Sequence, residues 1–166
     1  VTGNPVYADQ FEKSTYNALM ASLKYDGSEI AKYSPLGGIR HSGEEQCGMH
    51  INCCNANGPR AFMMLPGYAV TGAPGEIFIN LYGQGDALIP VNPKNKVSLE
   101  QVSDYPVSDK IEIRINPEKP ESFTISLRIP AWSKNSDIEV NGTKITEIIP
   151  GTYKQITRLW NKNDKV

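Results

Sequence analysis

The sequence predicts an α+β chain: helices and a long irregular segment over residues 1–72, then an antiparallel β-sandwich over residues 73–166. Three observations carry this. Apolar residues near the start recur with a helical period. Beyond Gly72 the period shortens to two, as in strands with one buried face. Asn141-Gly142, set between Ile138-Glu139-Val140 and Thr143-Lys144-Ile145, is a two-residue hairpin signal, because both residues tolerate the positive φ such turns need.

Residues 9–23 form the first expected helix, with Phe11, Tyr16, Leu19, Met20 and Leu23 near one face and Gly27 soon after the end. From Tyr25 to His50 the pattern dissolves into Gly, Ser, Pro and scattered charges; irregular segments this long inside compact domains are often functional. A second helix is expected over residues 58–70. Pro59 suits its first turn, where a missing N–H costs little, whereas Pro66 should kink or shorten it. Ala61, Met64, Leu65 and Tyr68 share a face.

Strands follow where Ile77, Ile79 and Leu81 alternate with Phe78, Asn80 and Tyr82, and where Ile111, Ile113 and Ile115 alternate with Glu112 and Arg114. Phe123, Ile125, Leu127 and Ile129 alternate with Thr124, Ser126 and Arg128, and residues 151–160 supply a further strand. Short strands at regular spacing point to a sandwich. Two helices, each with one apolar stripe, cannot bury both alone, so the helical part is expected to need more chain upstream.

Composition excludes several classes of function. Of 166 residues 39% are hydrophobic and 21% charged, ordinary values for a globular chain. With 17 basic and 18 acidic residues the net charge is -1 and no long run of one sign occurs, which disfavours nucleic-acid and anionic-membrane binding. A neutral polar ligand such as a sugar is compatible with this balance. No apolar stretch approaches the length of a membrane span. The start at Val1 reads as a processed or excised chain and leaves the compartment open between a bacterial periplasm and cytoplasm.

The reactive chemistry is concentrated in Cys47-Gly-Met-His-Ile-Asn-Cys-Cys-Asn-Ala-Asn-Gly-Pro-Arg60. Three cysteines are too few for a disulfide framework, and adjacent ones rarely bridge, because the ring so formed strains the intervening peptide. Thiolates are soft zinc ligands, and Cys53 and Cys54 can reach one ion from a loop just before a helix. Zinc takes about four ligands, and Cys47 and His50 are the local candidates to add to the pair. From the residues alone this is a weak metal signal, and plain packing cysteines are the commoner reading.

His50-Ile-Asn-Cys-Cys-Asn-Ala-Asn-Gly-Pro-Arg60, followed by an apolar helix and Ile77-Phe-Ile-Asn-Leu-Tyr82, resembles glycoside hydrolase family 127, the β-L-arabinofuranosidases and their relatives. Gln101-Val-Ser-Asp-Tyr-Pro106, Ser126-Leu-Arg-Ile-Pro-Ala-Trp132 and Val140-Asn-Gly142 continue the resemblance in order. It implies that residues 1–72 are the closing helices and loop of an (α/α)6 catalytic barrel and that residues 73–166 are a β-sandwich. By position Cys53 matches the nucleophile, which also touches zinc, and Cys54 matches a zinc ligand. The other ligands (a glutamate and a cysteine) and the glutamate acid/base are expected upstream, so the chain by itself is expected to be inactive.

The implied reaction is retaining hydrolysis of a terminal β-L-arabinofuranose from plant-type glycans, with carbohydrate and the upstream part of the same domain as partners. Asn55-Ala-Asn-Gly58 stands where arabinofuranosidases carry prolines, a departure that leaves the sugar open.

The neighbouring residues divide between function and structure. His50 suits either a sugar hydroxyl or a local structural hydrogen bond, while His41 reads as structural. Cys47 reads as a structural or exposed thiol, and Glu44 and Glu45 as solvated carboxylates. Asn52, Asn55 and Asn57 suit turns and a helix cap, and Arg60 is expected to brace the second helix. Trp132 and Trp160 are expected in the core, and Gly83-Gln-Gly85 in a turn. Two other readings fit the residues: a noncatalytic carbohydrate-binding or interaction module with an inert cysteine pair, and a small zinc-thiolate structural protein.

Overall fold

A computed structural model of the chain describes residues 3–28, 30–33, 37, 41–42 and 53–166. In chain order its elements are α1 (Pro5–Ser14), a short pair of strands β1 (Ala31–Tyr33) and β2 (His41–Ser42), α2 (Cys53–Ala69), then β3 (Val70–Ala73), β4 (Glu76–Ile79), β5 (Gly85–Asn92), β6 (Asn95–Val102), β7 (Glu112–Pro117), β8 (Glu121–Ile129), β9 (Ile138–Val140), β10 (Thr143–Ile145), β11 (Thr152–Trp160) and β12 (Asp164–Lys165). They fall into two compact units, one of residues 1–9 with 67–166, the other of residues 10–66. Among the described residues no helix is long and apolar enough to cross a membrane.

α1 starts earlier than the expected Asp9. Asn4 caps it, its Oδ1 accepting from the Val6 N–H at 3.0 Å, and Pro5 takes the first helical position. Beyond Ser14 the helix widens into a π turn (Thr15–Leu19) and then tightens into a 3-10 turn (Met20–Ser22). Hydroxyls bond back to the backbone here: Thr15 Oγ1 donates to Phe11 O at 2.8 Å and Ser22 Oγ to Leu19 O at 2.6 Å. Such bonds compete with regular helical pairing and bend helices.

α2 also starts earlier than expected, at Cys53 rather than Gly58, so the cysteine pair lies on its first turn rather than in a loop before it. The helix runs through both Pro59 and Pro66. Asn57 Nδ2 donates to Cys53 O at 3.0 Å, adding a side-chain bond in the turn before Pro59 withdraws a backbone donor.

In the larger unit two four-stranded sheets, ordered β11-β8-β4-β3 and β12-β7-β6-β5, share one buried cluster. Ile77 and Ile79 of β4, Val97 and Leu99 of β6, Ile113 and Ile115 of β7, and Phe123, Ile125 and Leu127 of β8 face each other in it. The chain is thus α+β with mostly antiparallel pairing. One pair departs from the antiparallel expectation: β4 runs parallel to β8. Parallel neighbours need a long crossover, and β5, β6 and β7, which build the second sheet, provide it. The hairpin of β9 and β10 turns at Asn141 (φ 50°) and Gly142 (φ 80°), as the dipeptide predicts.

From Ile125 to Ile129 β8 is buried on both faces, where alternation predicts one. Ser126 and Arg128 are fully buried. Arg128 pairs with Asp9 at 2.5 Å and donates from Nε to Asn80 O at 2.6 Å, while the Tyr82 hydroxyl donates to Arg128 O at 2.6 Å. The Tyr153 hydroxyl donates to Asn80 Oδ1 at 2.6 Å, and Asn80 Nδ2 donates to Tyr68 O and Thr71 Oγ1, both at 3.0 Å. Asp9 also accepts from the Ala131 N–H at 3.3 Å. The middle of α1 and the end of α2 are thereby tied to one buried guanidinium, whose charge is compensated and whose Nε is bonded.

Of the two tryptophans expected in the core, Trp160 is there, fully buried, its Nε1 donating to Phe123 O at 3.0 Å. Trp132 is 61% exposed. It sits in the turn that follows Pro130, past the end of β8, where the strand no longer aims side chains into the cluster.

Candidate active site on the first turn of the second helix

The two cysteines have different surroundings although they are neighbours in sequence. Cys53 is exposed and Cys54 half-buried. Consecutive helical residues point about 100° apart, whereas residues four and seven apart share a face. Cys53 therefore heads a stripe with Asn57, Arg60 and Met64, all exposed. Cys54 heads the adjacent stripe with Gly58, Ala61 and Leu65, all half-buried. The pair is not joined as a disulfide.

The inward stripe has a close neighbour. Ile30, itself buried and bridged to Leu23, places Cδ1 only 1.6 Å from where a β-carbon on Gly58 would lie. Only glycine admits that approach. Ile30 leads directly into β1, which pairs with β2 through Ala31 with Ser42 and Tyr33 with His41.

His50, the third candidate, lies outside the described residues, as do Cys47, Glu44, Glu45 and Asn52. Among the described residues no three His, Cys, Asp or Glu side chains gather to hold a metal. The pair fits a thiophilic ion such as zinc in donor type and could fill two of about four positions. Arg60, expected as a brace, is exposed.

A concavity of about 580 Å³ lies on the larger unit, between the β5–β6 and β7–β8 turns. Its polar groups bind each other: Asn92 Nδ2 and Asn95 Nδ2 donate to the two oxygens of Glu121 at 2.7 and 2.6 Å. That arrangement joins two turns and leaves no convergent set for chemistry.

Residues 76–166 match the family described as "Beta-L-arabinofuranosidase, GH127 middle domain". The chain belongs to glycoside hydrolase family 127. Comparison with curated proteins gives no match. Among solved structures this GH127 chain is similar to a glycoside hydrolase at 28% identity and a TM-score of 0.85, with 99% of this chain and 29% of that one covered. A GH127 β-arabinofuranosidase is similar at 27% identity and a TM-score of 0.79, covering 99% and 28%. A GH127 β-L-arabinofuranosidase from Geobacillus stearothermophilus T6 shares the fold, with a TM-score of 0.82 at 24% identity and the same coverage, 99% and 28%. The chain thus spans less than a third of the length of these relatives.

Motif reading singled out the cysteine pair but not Ile30, Gly58, Asp9 or Asn80. The close approach at Gly58 had no signal in the sequence, because the helix expected over residues 58–70 puts that glycine at its first position, whereas α2 from Cys53 puts it inside, where glycine is otherwise unfavourable.

Proposed function

We propose that this chain contributes the thiol half of the active site of a retaining glycoside hydrolase that releases terminal β-L-arabinofuranose. The observation that carries the reading is the division of the cysteine pair, Cys53 exposed and Cys54 turned inward on one helical turn, in a chain of family 127. Cys53 is the nucleophile and Cys54 the metal anchor. Residues 1–72 are the closing part of the catalytic barrel and residues 73–166 the sandwich that follows it in sequence. The barrel's upstream part, as partner, supplies the acid/base and the remaining ligands. Exposed apolar side chains on α2, with Met63 at 81%, support a further packing partner for that helix.

Retention requires two displacements at the anomeric carbon. In the first, the Cys53 sulfur forms a bond to that carbon while the glycosidic C–O bond breaks and an acid delivers a proton to the departing oxygen. In the second, a water oxygen bonds to the same carbon, the C–S bond breaks, and the conjugate base takes the water proton. The exposed stripe places Cys53 where a sugar can reach it, and the inward stripe leaves Cys54 for a structural ligand. Zinc bound by the pair would keep the sulfur deprotonated and temper it enough to depart.

The test is hydrolysis of an aryl β-L-arabinofuranoside by the intact protein beside Cys53→Ala, with zinc content measured for Cys54→Ser. A loss of about 10³-fold or more in kcat/KM for a folded Cys53→Ala variant is expected, as for removal of other covalent nucleophiles. Loss of zinc in Cys54→Ser is expected as well. Unchanged turnover in Cys53→Ala would remove the thiol mechanism. A folded, zinc-loaded protein inert on this substrate would remove arabinofuranose and leave another sugar.

A further inference from the structure

The close packing of Ile30 on Gly58 lies one helical turn from Cys54 and on the same stripe. Any side chain at position 58 would meet Ile30 Cδ1 at 1.6 Å and Cγ1 at 3.1 Å, distances at which something must shift. Cδ1 is the free end of the Ile30 side chain, but Ile30 is buried, so turning that methyl aside would drive it into close-packed surroundings. The helix would be displaced instead, and the cysteine one turn away would move with it.

We propose that Gly58 and Ile30 are positioning residues that set the depth of Cys54, fixing how far the inward thiol is withdrawn while Cys53 stays accessible. This rests on the assignment of Cys54 as the metal anchor, but the packing is readable independently of any metal. The contact is specific at the level of one methyl. Replacing Ile30 by Val deletes Cδ1, the atom that an alanine at 58 would strike, and leaves the next nearest atom at 3.1 Å. Ile30→Val should therefore make room for Gly58→Ala, a rescue that general destabilisation does not predict.

The experiment measures alkylation of each cysteine separately, by peptide mass spectrometry, in the intact protein equilibrated with EDTA so that bound metal does not shield the thiols. Gly58→Ala should raise the rate at Cys54 about tenfold and leave Cys53 within about twofold, whereas global unfolding would raise both. Ile30→Val with Gly58→Ala should return Cys54 to within about threefold of the parent. Ile30→Ala alone, which empties the contact without a clash, should also raise Cys54 selectively. This variant decides the matter if Gly58→Ala does not fold.

Unchanged Cys54 labelling in folded Gly58→Ala or Ile30→Ala, or equal labelling of both cysteines, would overturn the proposal. Zinc content and turnover of the parent are read separately. An inert or zinc-free parent with the labelling pattern intact would overturn the proposed function and keep the positioning contact.

Discussion

Arg128 is the residue on which the larger unit turns. Its guanidinium is fully buried, and the Asp9 carboxylate balances the charge from the middle of α1. Removing one partner of a buried pair strands the other, which typically costs about 3–5 kcal/mol. Asp9→Asn is expected to lose stability of that order, measured by urea unfolding. Asp9→Leu combined with Arg128→Met should recover most of it, since well-packed apolar residues often replace such pairs at no net cost.

Tyr153 belongs to the same network and makes it sensitive to alkali. Burial raises its hydroxyl above the ordinary tyrosine range, opposed by the charge of Arg128 and reinforced by that of Asp9. The folded state thus holds the proton more tightly than the unfolded chain. The stabilisation is complete below about pH 10 and is lost as the pH rises through the raised folded value. Tyr153→Phe should flatten that part of the alkaline limb, read from unfolding midpoints on either side of it.

At the scale of elements, local signals decide where helices and turns start, and they can be tested singly. Asn4 caps α1, and Asn4→Ala should cost about 1 kcal/mol, measured by chemical denaturation. Gly142 holds φ at 80° in the β9–β10 turn. Space around it is open, so Gly142→Ala should cost only the backbone strain, roughly 1–2 kcal/mol.

Some elements escaped sequence reading for definable reasons. β6 alternates between inward and outward positions along its whole length, but its inward ends are the polar Asn95 and Gln101, so the apolar pattern reduces to Val97 and Leu99. β5 contains Pro90, which argues against an interior strand, yet it sits at the edge of its sheet, where a missing donor is tolerated. Pro59 has the pattern of a first-turn proline and so sets the expected start of α2 at Gly58, whereas the helix admits that proline further in.

At the scale of the whole molecule, the shared core of the two sheets sets the stability of the larger unit. Trp160 is fully buried and hydrogen-bonded at its indole nitrogen. Trp160→Ala should cost about 3–5 kcal/mol, and Leu127→Ala about 2–5, both read from urea midpoints. If zinc is held by Cys53 and Cys54, chelation should lower the melting temperature of the intact protein by mass action, and Cys54→Ser should remove that dependence.

By itself the sequence determined the change from helical to strand period near Gly72, the inward apolar residues of β4, β7 and β8, the Asn141-Gly142 turn and the prominence of the cysteine pair. These are local properties, carried by side-chain order and the backbone freedom of single residues. Tertiary structure alone decided the parallel pairing of β4 with β8, the burial of Arg128 against Asp9, the exposure of Trp132 and the seat of Ile30 on Gly58. Each joins positions far apart in the chain or depends on where an element ends. The spacing of residues along one strand or helix encodes which face is apolar, but not which distant group will cover it.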